Sequence, residues 1–452
     1  MIPRVVVAGT RSGVGKTTIA TGLMAALAAR GVRTAGFKVG PDFIDPSYHG
    51  LACGRPGRNL DAFMSGADLV APLFRHGSRG AEIAIVEGVM GLFDGAAGRG
   101  ELASTAHVAK LLDAPVVLVV DASSTGRSIA ALVHGFATYD PALRVGGLVL
   151  NRVGGDRHEA IAREAIEPIG IPILGVLPRD ARVSAPARHL GLVPIAERRE
   201  RGRAAIASLA ALIEDRCDLD AVGGLAATAP DVPGAAWSPV VEPAARRVRV
   251  AVARGPAFSF HYAENLELLE AAGAELVDID PLVDEELPAG TAGLVLAGGF
   301  PEVYGEELSA NEPLRAAVAA FARDGGAVLA ECGGLLYLSR ELDGRRMCGV
   351  LPARARMTDR LVLGYRQATA ATSHPAWPVG TSVRGHEFHY SRLEPEAGKA
   401  PAWRLGERRE GYVAGGIHAG YLHTHWAATP EVATRFVAGA AKAETRREAA
   451  LR

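Results

Sequence analysis

Two short stretches of the chain combine residue types that do chemistry. In the first, Gly9-Thr-Arg-Ser-Gly-Val-Gly-Lys-Thr-Thr18 follows the apolar run Val5–Ala8 and precedes an amphipathic stretch, Ile19–Arg30. Glycines at 13 and 15 let backbone N–H groups curl around a polyphosphate, and the dipole of the helix that follows favours an anion at the same place. Lys16 then reaches the β- and γ-phosphates, and the Thr17 hydroxyl is placed to ligate Mg2+. Gly13, Gly15, Lys16, Thr17 and Thr18 are therefore the expected ATP cradle. The strict pattern wants glycine at position 10; here it is Thr10, with Gly9 beside it.

In the second stretch, Ala327-Val-Leu-Ala-Glu331 leads into Cys332-Gly-Gly334 and an apolar helix, Leu335–Leu338. A sharp strand-to-helix turn exposes the side chain at its apex and needs glycine where the backbone is crowded. A helix N-terminus lowers a thiol's pKa, so thiolate is the expected form. Ala297-Gly-Gly-Phe-Pro301 is a candidate source of an oxyanion-binding N–H. A cysteine nucleophile needs a base, and Leu422-His423-Thr-His425-Trp426 supplies one. His423 is the first choice because it follows the strand directly; His425 is the alternative.

A nucleotide site with a metal also needs acids. Ile83-Ala-Ile-Val-Glu87 ends a buried strand with a carboxylate, as a Walker-B acid would. The loop Lys38-Val-Gly-Pro-Asp42-Phe-Ile-Asp45 adds a lysine and two carboxylates, and Asp94 in Gly91–Gly95 closes the set. Thr17, Asp42 and Glu87 are the expected metal partners; Lys38, Asp45 and Asp94 are assigned to catalysis or substrate contact. Asn151, in Leu148–Val153, either reads adenine or caps a strand end. Ligands bind at the carboxyl ends of strands in open α/β sheets, where these residues lie.

The elements that must position them are short β-branched runs alternating with alanine-rich helical stretches. Strands are expected at Arg4–Ala8, Arg33–Val39, Ile83–Val86, Val116–Val120, Gly147–Leu150 and Ile173–Val176, then at Arg247–Ala253, Ala274–Ile279, Ala292–Ala297, Ala327–Glu331 and Gly415–Tyr421. Near-continuous apolar runs of this kind belong to strands buried on both faces. The fold class is α/β: a parallel-sheet phosphate-loop domain and a second α/β domain. Between them, a charged helix (Arg198–Asp215) passes into the polar stretch Ala226–Pro239, which carries three prolines and reads as a linker.

The 452 residues are 48% hydrophobic and 22% charged, with Lys+Arg 49 against Asp+Glu 50 and a net charge of −1. That balance gives no basic field, so neither nucleic acid nor an anionic membrane is expected as a partner. Four cysteines without a C-x-x-C pair exclude a disulfide framework or zinc ribbon and fit a reducing compartment. Apolar runs such as Ala114–Val120 fall far short of the roughly 20 residues of a membrane span. A cytoplasmic protein is the expectation.

The phosphate loop with Lys38 and Glu87 resembles dethiobiotin synthetase and its relatives, which phosphorylate a carboxylate to a reactive anhydride. It is also similar to the loop of the chromosome-partitioning ATPases, with Arg11 where they carry a signature lysine. The second half resembles the class I glutamine amidotransferases, which release ammonia from glutamine through a cysteinyl thioester. It departs from them twice: Ala330 replaces the first glycine of their elbow, and His425 stands where their triad glutamate follows the histidine by two residues. That loss points to a dyad.

The fusion of the two halves resembles the corrinoid amide synthases of cobalamin biosynthesis. Four stretches favour the cobyrinic or hydrogenobyrinic acid a,c-diamide synthases: Lys38–Pro46, Val86–Gly95, Arg188–Pro194 and Tyr421–Trp426. The resemblance implies an ATP-binding amidoligase domain at 1–196, a helix and linker at 197–246, a glutamine amidotransferase domain at 247–438 and a tail at 439–452, read as a frayed helix or a disordered end. It further implies ATP with Mg2+, glutamine, and hydrogenobyrinic or cobyrinic acid amidated at the c and a carboxylates. A homodimer is the default assembly of the fold group. Two rival readings are a P-loop ATPase switch with an inert glutaminase-like half, and an amidase of another tetrapyrrole or a cell-wall substrate. The residues do not discriminate a metal-free from a cobalt macrocycle; alanine- and arginine-rich usage leans toward the metal-free one.

Overall fold

The computed structural model describes residues 1–179, 187–188, 191–192 and 199–450. The chain divides into two compact units, Met1–Ser238 and Pro239–Arg452.

The first unit is built on seven strands: β1 (Arg4–Gly9), β2 (Thr34–Val39), β3 (Arg58–Leu60), β4 (Ile83–Glu87), β5 (Val116–Asp121), β6 (Val145–Val153) and β7 (Ile173–Pro178). They run in the order β3-β2-β4-β1-β5-β6-β7, and every pairing is parallel. Every residue of β1, β2, β4 and β5 is buried, which is why these strands are mostly apolar rather than alternating, with charged residues only near their ends. Register does positional work at the carboxyl edge: Lys38 of β2 pairs with Glu87 of β4, and Asp121 of β5 with Asn151 of β6. In-register neighbours on adjacent strands share a face.

Helix α1 (Lys16–Ala29) starts immediately after Gly15 and buries Ile19, Leu23 and Met24. Its other side packs on the helix Arg199–Arg216, where a Cβ on Gly22 would fall 2.5 Å from Ile213 Cγ1. The region expected as helix and linker therefore belongs to the first unit as far as Ser238. The proline-containing stretch has two apolar anchors, Val232 and Trp237, both buried. Trp237 N–H donates to Pro72 O (2.9 Å), and its ring meets His76 edge-on at 4.9 Å. Composition hid this because prolines remove donors, so an extended strip needs few partners and two side chains suffice to hold it. Within Arg188–Pro194, only Arg188, Gly191 and Leu192 lie on described backbone, in the two-stranded piece of β8 (Ala187–Arg188) and β9 (Gly191–Leu192). The rest of that motif lies outside the described residues.

The second unit opens with β10 (Val248–Ala253), β11 (Ala274–Ile279), β12 (Thr291–Leu296) and β13 (Ala327–Glu331). A ribbon follows: β14 (Glu341–Leu342), β15 (Arg345–Arg346), β16 (Arg354–Ala370), β17 (Ser382–Glu394), β18 (Trp403–Leu405) and β19 (Arg408–Glu410). The chain then returns through β20 (Tyr412–Ala414) and β21 (Ile417–Gly420) to β22 (His423–Thr424). The main sheet has the order β11-β10-β12-β13-β21-β20, parallel except for β20 at its edge. β22 leaves it and pairs with β17 of the ribbon, so the two sheets meet where the chain passes from Gly420 to His423. The ribbon escaped the sequence reading because its strands alternate buried and exposed residues and carry many arginines, for instance Arg354-Ala-Arg-Met-Thr-Asp-Arg360. A single helix, Glu431–Ala450, runs through the point where a tail was expected and buries Val432, Phe436, Val437 and Ala440. Among the described residues no helix is long and apolar enough to cross a membrane.

Candidate active sites in the two units

In the first unit, the loop after β1 reaches α1 through Gly15, whose φ of 103° suits glycine. Lys16 is buried, and its ammonium donates to Arg11 O (3.2 Å) and Met90 O. Burial first, and Lys38 second, pull its pKa down to about 8. Beside it, Thr17 Oγ1 lies 2.5 Å from Glu87 Oε1 and 3.3 Å from Asp45 Oδ2. Lys38 Nζ touches the same two oxygens, at 2.6 Å from Asp45 Oδ2 and 2.7 Å from Glu87 Oε1, and donates to Gly88 O at 3.1 Å. His49 Nε2 sits 2.7 Å from the other Glu87 oxygen. Burial alone would raise the Glu87 pKa, but Lys38 and His49 outweigh it and hold the carboxyl well below the usual range. Burial likewise opposes the Lys38 charge, and Asp45, Glu87 and Asp42 overcome it. Asp45 is pushed up, by burial first and then by Asp42 and Glu87.

This is a hard-oxygen cluster with more carboxylate than ammonium, the donor chemistry Mg2+ takes together with phosphate oxygens. Among the described residues no three His, Cys, Asp or Glu side chains are grouped to hold a metal by themselves. The membership differs from expectation at one place. Asp42 Oδ1 accepts the N–H groups of Ile44 (2.7 Å) and Asp45 (3.0 Å), at the start of α2 (Ile44–Cys53), and Asp45 is the carboxylate beside Thr17. The reason is local: a short acid just ahead of a helix satisfies its first N–H groups. Asp94 also closes its own turn, accepting Gly91 N–H at 2.8 Å, while its charge acts on Lys16.

Asn151, on β6, faces the phosphate loop. Its Nδ2 donates to Val14 O (2.8 Å) in the phosphate loop, and its Oδ1 accepts Arg152 N–H (2.9 Å). Arg152 donates to Gly13 O (2.8 Å) and pairs with Asp121 (2.6 Å), which also pairs with Arg11 (2.9 Å). The loop is thus braced from β5 and β6 by Asp121 and Arg152, which the sequence reading had not singled out, together with Asn151. His49 was also missed, although it lies four residues after Asp45 on α2, the spacing that puts two side chains on one helix face.

In the second unit, Cys332 sits at φ 46°, ψ −98°, a region that costs backbone strain for any residue with a Cβ. Its N–H donates to Gly420 O at 2.8 Å, and a Cβ on Gly334 would lie 2.1 Å from Leu296 O. The turn is therefore fixed by β21 on one side and β12 on the other. The sulfur is buried, with Phe388 O as its hydrogen-bond partner at 3.9 Å. Burial first, and Glu302 second, push the thiol pKa up, against the expectation of a thiolate favoured by a helix N-terminus. The helix, Gly333–Leu338, is only six residues long, and desolvation of the sulfur exceeds its dipole.

His423, on β22, is the cross-strand partner of His386 on β17. A Cβ on Gly298 would meet His423 Cε1 at 2.4 Å, and one on Gly333 would meet Gly299 N at 3.0 Å. The Gly298–Gly299 segment, expected as an oxyanion element, thus lies against both the cysteine turn and the histidine. His425 is held elsewhere: Nδ1 accepts Ala427 N–H (3.3 Å), and Nε2 is 3.4 Å from Glu264 Oε2. Its ring also packs at 4.8 Å from Tyr262. On the far strand, burial lowers the pKa of His386 to about 3 and of His389 to about 4, so both are neutral near pH 7. Glu387 between them is fully buried and paired with Arg366 (2.6 Å) and Arg408. Only Arg366 lies on the same ribbon pair; the sequence alone gave no way to bring Arg408 to it.

Residues 5–193 match the family model of the CobQ/CobB/MinD/ParA nucleotide binding domain, and residues 249–431 that of the CobB/CobQ-like glutamine amidotransferase domain. A hydrogenobyrinate a,c-diamide synthase of Streptomyces coelicolor is 58% identical over 471 residues, spanning 96% of this chain and 97% of that protein. The chain belongs to the a,c-diamide synthase family. A hydrogenobyrinate a,c-diamide synthase of Mycobacterium tuberculosis is 50% identical, over 97% of this chain and 98% of its own. A cobyrinate a,c-diamide synthase of Gloeobacter violaceus is 46% identical, over 96% of each chain. As an a,c-diamide synthase the chain is a glutamine-hydrolysing amide ligase with a nucleotide-binding domain. The family places it with the ligases rather than with switch ATPases carrying an inert second half.

Proposed function

We propose that the chain amidates the a and c carboxylates of hydrogenobyrinic acid, using ATP and glutamine. The observation that carries the reading is the end-to-end match to relatives of that name by a chain holding both a phosphate-loop cluster and an elbow cysteine. The relatives quoted at 58% and 50% identity carry the hydrogenobyrinate name and the one at 46% the cobyrinate name, which favours the metal-free ring.

Gly13, Gly15, Lys16, Thr17 and Thr18 hold the phosphates. Thr17, Asp45 and Glu87 would hold Mg2+, which neutralises phosphoryl charge when bound. A carboxylate oxygen of the macrocycle attacks the γ-phosphorus, the bond to the bridging oxygen breaks, and ADP leaves. Lys16 and Lys38 offset the charge of the transferred group. Asp42 and Asp94 act through the turns they close, the first by placing Asp45 and the second by placing the Met90 carbonyl on Lys16. In the second unit, Cys332 attacks the glutamine amide carbon, and its proton passes through His423 to the departing ammonia. The elevated thiol pKa makes that transfer part of the attack, because little thiolate stands ready beforehand. Water then cleaves the thioester to glutamate. Ammonia displaces phosphate from the acyl phosphate and gives the amide.

The test is amidation of each macrocycle by the purified protein with MgATP and amide-15N glutamine, read by mass spectrometry. Conversion of hydrogenobyrinic acid to a diamide carrying two 15N atoms is expected, with cobyrinic acid turned over poorly. Preferred turnover of cobyrinic acid would reverse the choice of ring. ATP hydrolysis with no amidation of either ring would contradict the reading.

A further inference from the structure

The glutamate that the triad enzymes place two residues after the histidine is replaced here by His425, and His425 is engaged with Glu264 and Ala427. A different carboxylate faces His423. Glu331 Oε2 lies 3.7 Å from His423 Nδ1, and Glu331 is the last residue of β13, immediately before Cys332. Its other oxygen is fixed: Glu331 Oε1 accepts both the N–H (3.2 Å) and the hydroxyl (2.7 Å) of Thr424, the residue after His423. Thr424 is itself buried and its Oγ1 accepts the Trp426 indole N–H at 2.9 Å. Two contacts thus lock the carboxylate and turn its second oxygen toward the imidazole.

We propose that Glu331 is the positioning residue of the glutaminase, holding His423 through Nδ1 and leaving Nε2 for the thiol of Cys332. The inference rests on the reading of Cys332 and His423 as nucleophile and base. It replaces a dyad with a triad whose acid arrives from the strand that carries the nucleophile, rather than from the loop that carries the base. The parallel register of Glu331 with Gly420 makes this reachable, because β13 and β21 end side by side and His423 follows three residues later. Apo contacts of this kind are often longer than in the substrate complex, so 3.7 Å is within the range that tightens on binding. His386 and His389 on β17, which also act on His423, are both neutral, whereas Glu331 is a carboxylate placed to stabilise the imidazolium that forms. A carboxylate in this position fixes the tautomer and orientation of the base without itself taking the proton.

The experiment compares wild type, Glu331→Gln, Glu331→Asp and Thr424→Val as full-length protein, with Cys332→Ser and His423→Ala alongside. Glutaminase turnover and ammonium-driven amidation are measured separately. Glu331→Gln should lower glutaminase kcat by roughly 10²-fold, the low end for a positioned acid–base group. The KM for glutamine should stay within about threefold, and ammonium-driven amidation should be unchanged. Glu331→Asp should recover part of the loss, and Thr424→Val should show a smaller loss of the same kind. Glutaminase turnover within twofold of wild type in Glu331→Gln would overturn the proposal. Parallel loss of both activities would overturn it too, because a purely structural role predicts that. Retained glutaminase in Cys332→Ser or His423→Ala would instead refute the underlying assignment of nucleophile and base.

Discussion

The two sites handle charge in opposite ways. In the first unit, buried Lys38 touches both Glu87 and Asp45, and the Lys38–Glu87 ion pair holds both charges in place despite burial. In the second, burial favours neutral forms around the nucleophile: the Cys332 thiol is pushed up, and the nearby His386 and His389 are pushed down. The difference follows the chemistry each site is suited to. Transfer of a phosphoryl group needs fixed charge before the substrate arrives, since positioning and electrostatics supply most of the acceleration. A thiol that stayed ionised would be open to oxidation and alkylation, whereas one that ionises only on meeting its substrate is protected. The first site is preassembled by ion pairs, and the second by backbone: a strained φ of 46° at Cys332 and close glycine packing around it.

The sharpest way to break this comparison is to remove one function at a time. Cys332→Ser should reduce glutamine-dependent amidation by at least about 10³-fold while ammonium-driven amidation persists, since the first site is untouched. Next in size, Lys38→Met leaves Asp45 and Glu87 buried without their shared ammonium. That should lower the stability of the first unit by about 3–5 kcal/mol and abolish amidation with either nitrogen source. Differential scanning calorimetry should show the transition of the first unit moving down while that of the second unit holds. His49→Leu removes one donor from Glu87 and should cost about 1–3 kcal/mol in the same unit, again by calorimetry.

The smallest effect is one of pH. Lys16 loses its charge above its pKa of about 8, so ATP affinity should weaken as pH rises past 8, approaching about tenfold per unit. Below that pH the charge is present and affinity should be flat. Isothermal titration of the nucleotide at fixed magnesium checks the slope, and Lys16→Arg, which keeps its charge, should remove it.

How much of this was legible in the sequence depends on how far apart the partners lie along the chain. The phosphate loop, Glu87 and the cysteine turn were all visible, because a strand, a turn and a helix in succession leave a local signature. So were the parallel strands with long apolar runs, whereas the three-residue edge strand β3, Arg-Asn-Leu, left no such signal. The ribbon β16–β17 was not, since half-exposed arginine-rich strands look like loop. That Asp45 rather than Asp42 lies beside Thr17 turns on where α2 begins, and composition does not resolve two acids three residues apart. The thiol's pKa depended on desolvation, a property of packing rather than of helix termini. Glu331 stood in plain view beside Cys332, but its distance to His423 arises only from the pairing of β13 with β21. The attachment of the proline-bearing stretch before Pro239 was not legible for a similar reason, because Pro72 and His76, which receive Trp237, lie far upstream.

The central claim is that one unit activates a carboxylate by phosphorylation while the other supplies the ammonia. The measurement that tests it most directly uses hydrogenobyrinic acid labelled with 18O in its carboxylates, with Cys332→Ser protein, MgATP and ammonium. The account predicts one 18O atom in the released phosphate for every amide formed, and no amide when glutamine replaces ammonium. Unlabelled phosphate beside a formed amide, or amidation of the variant with glutamine, would contradict it.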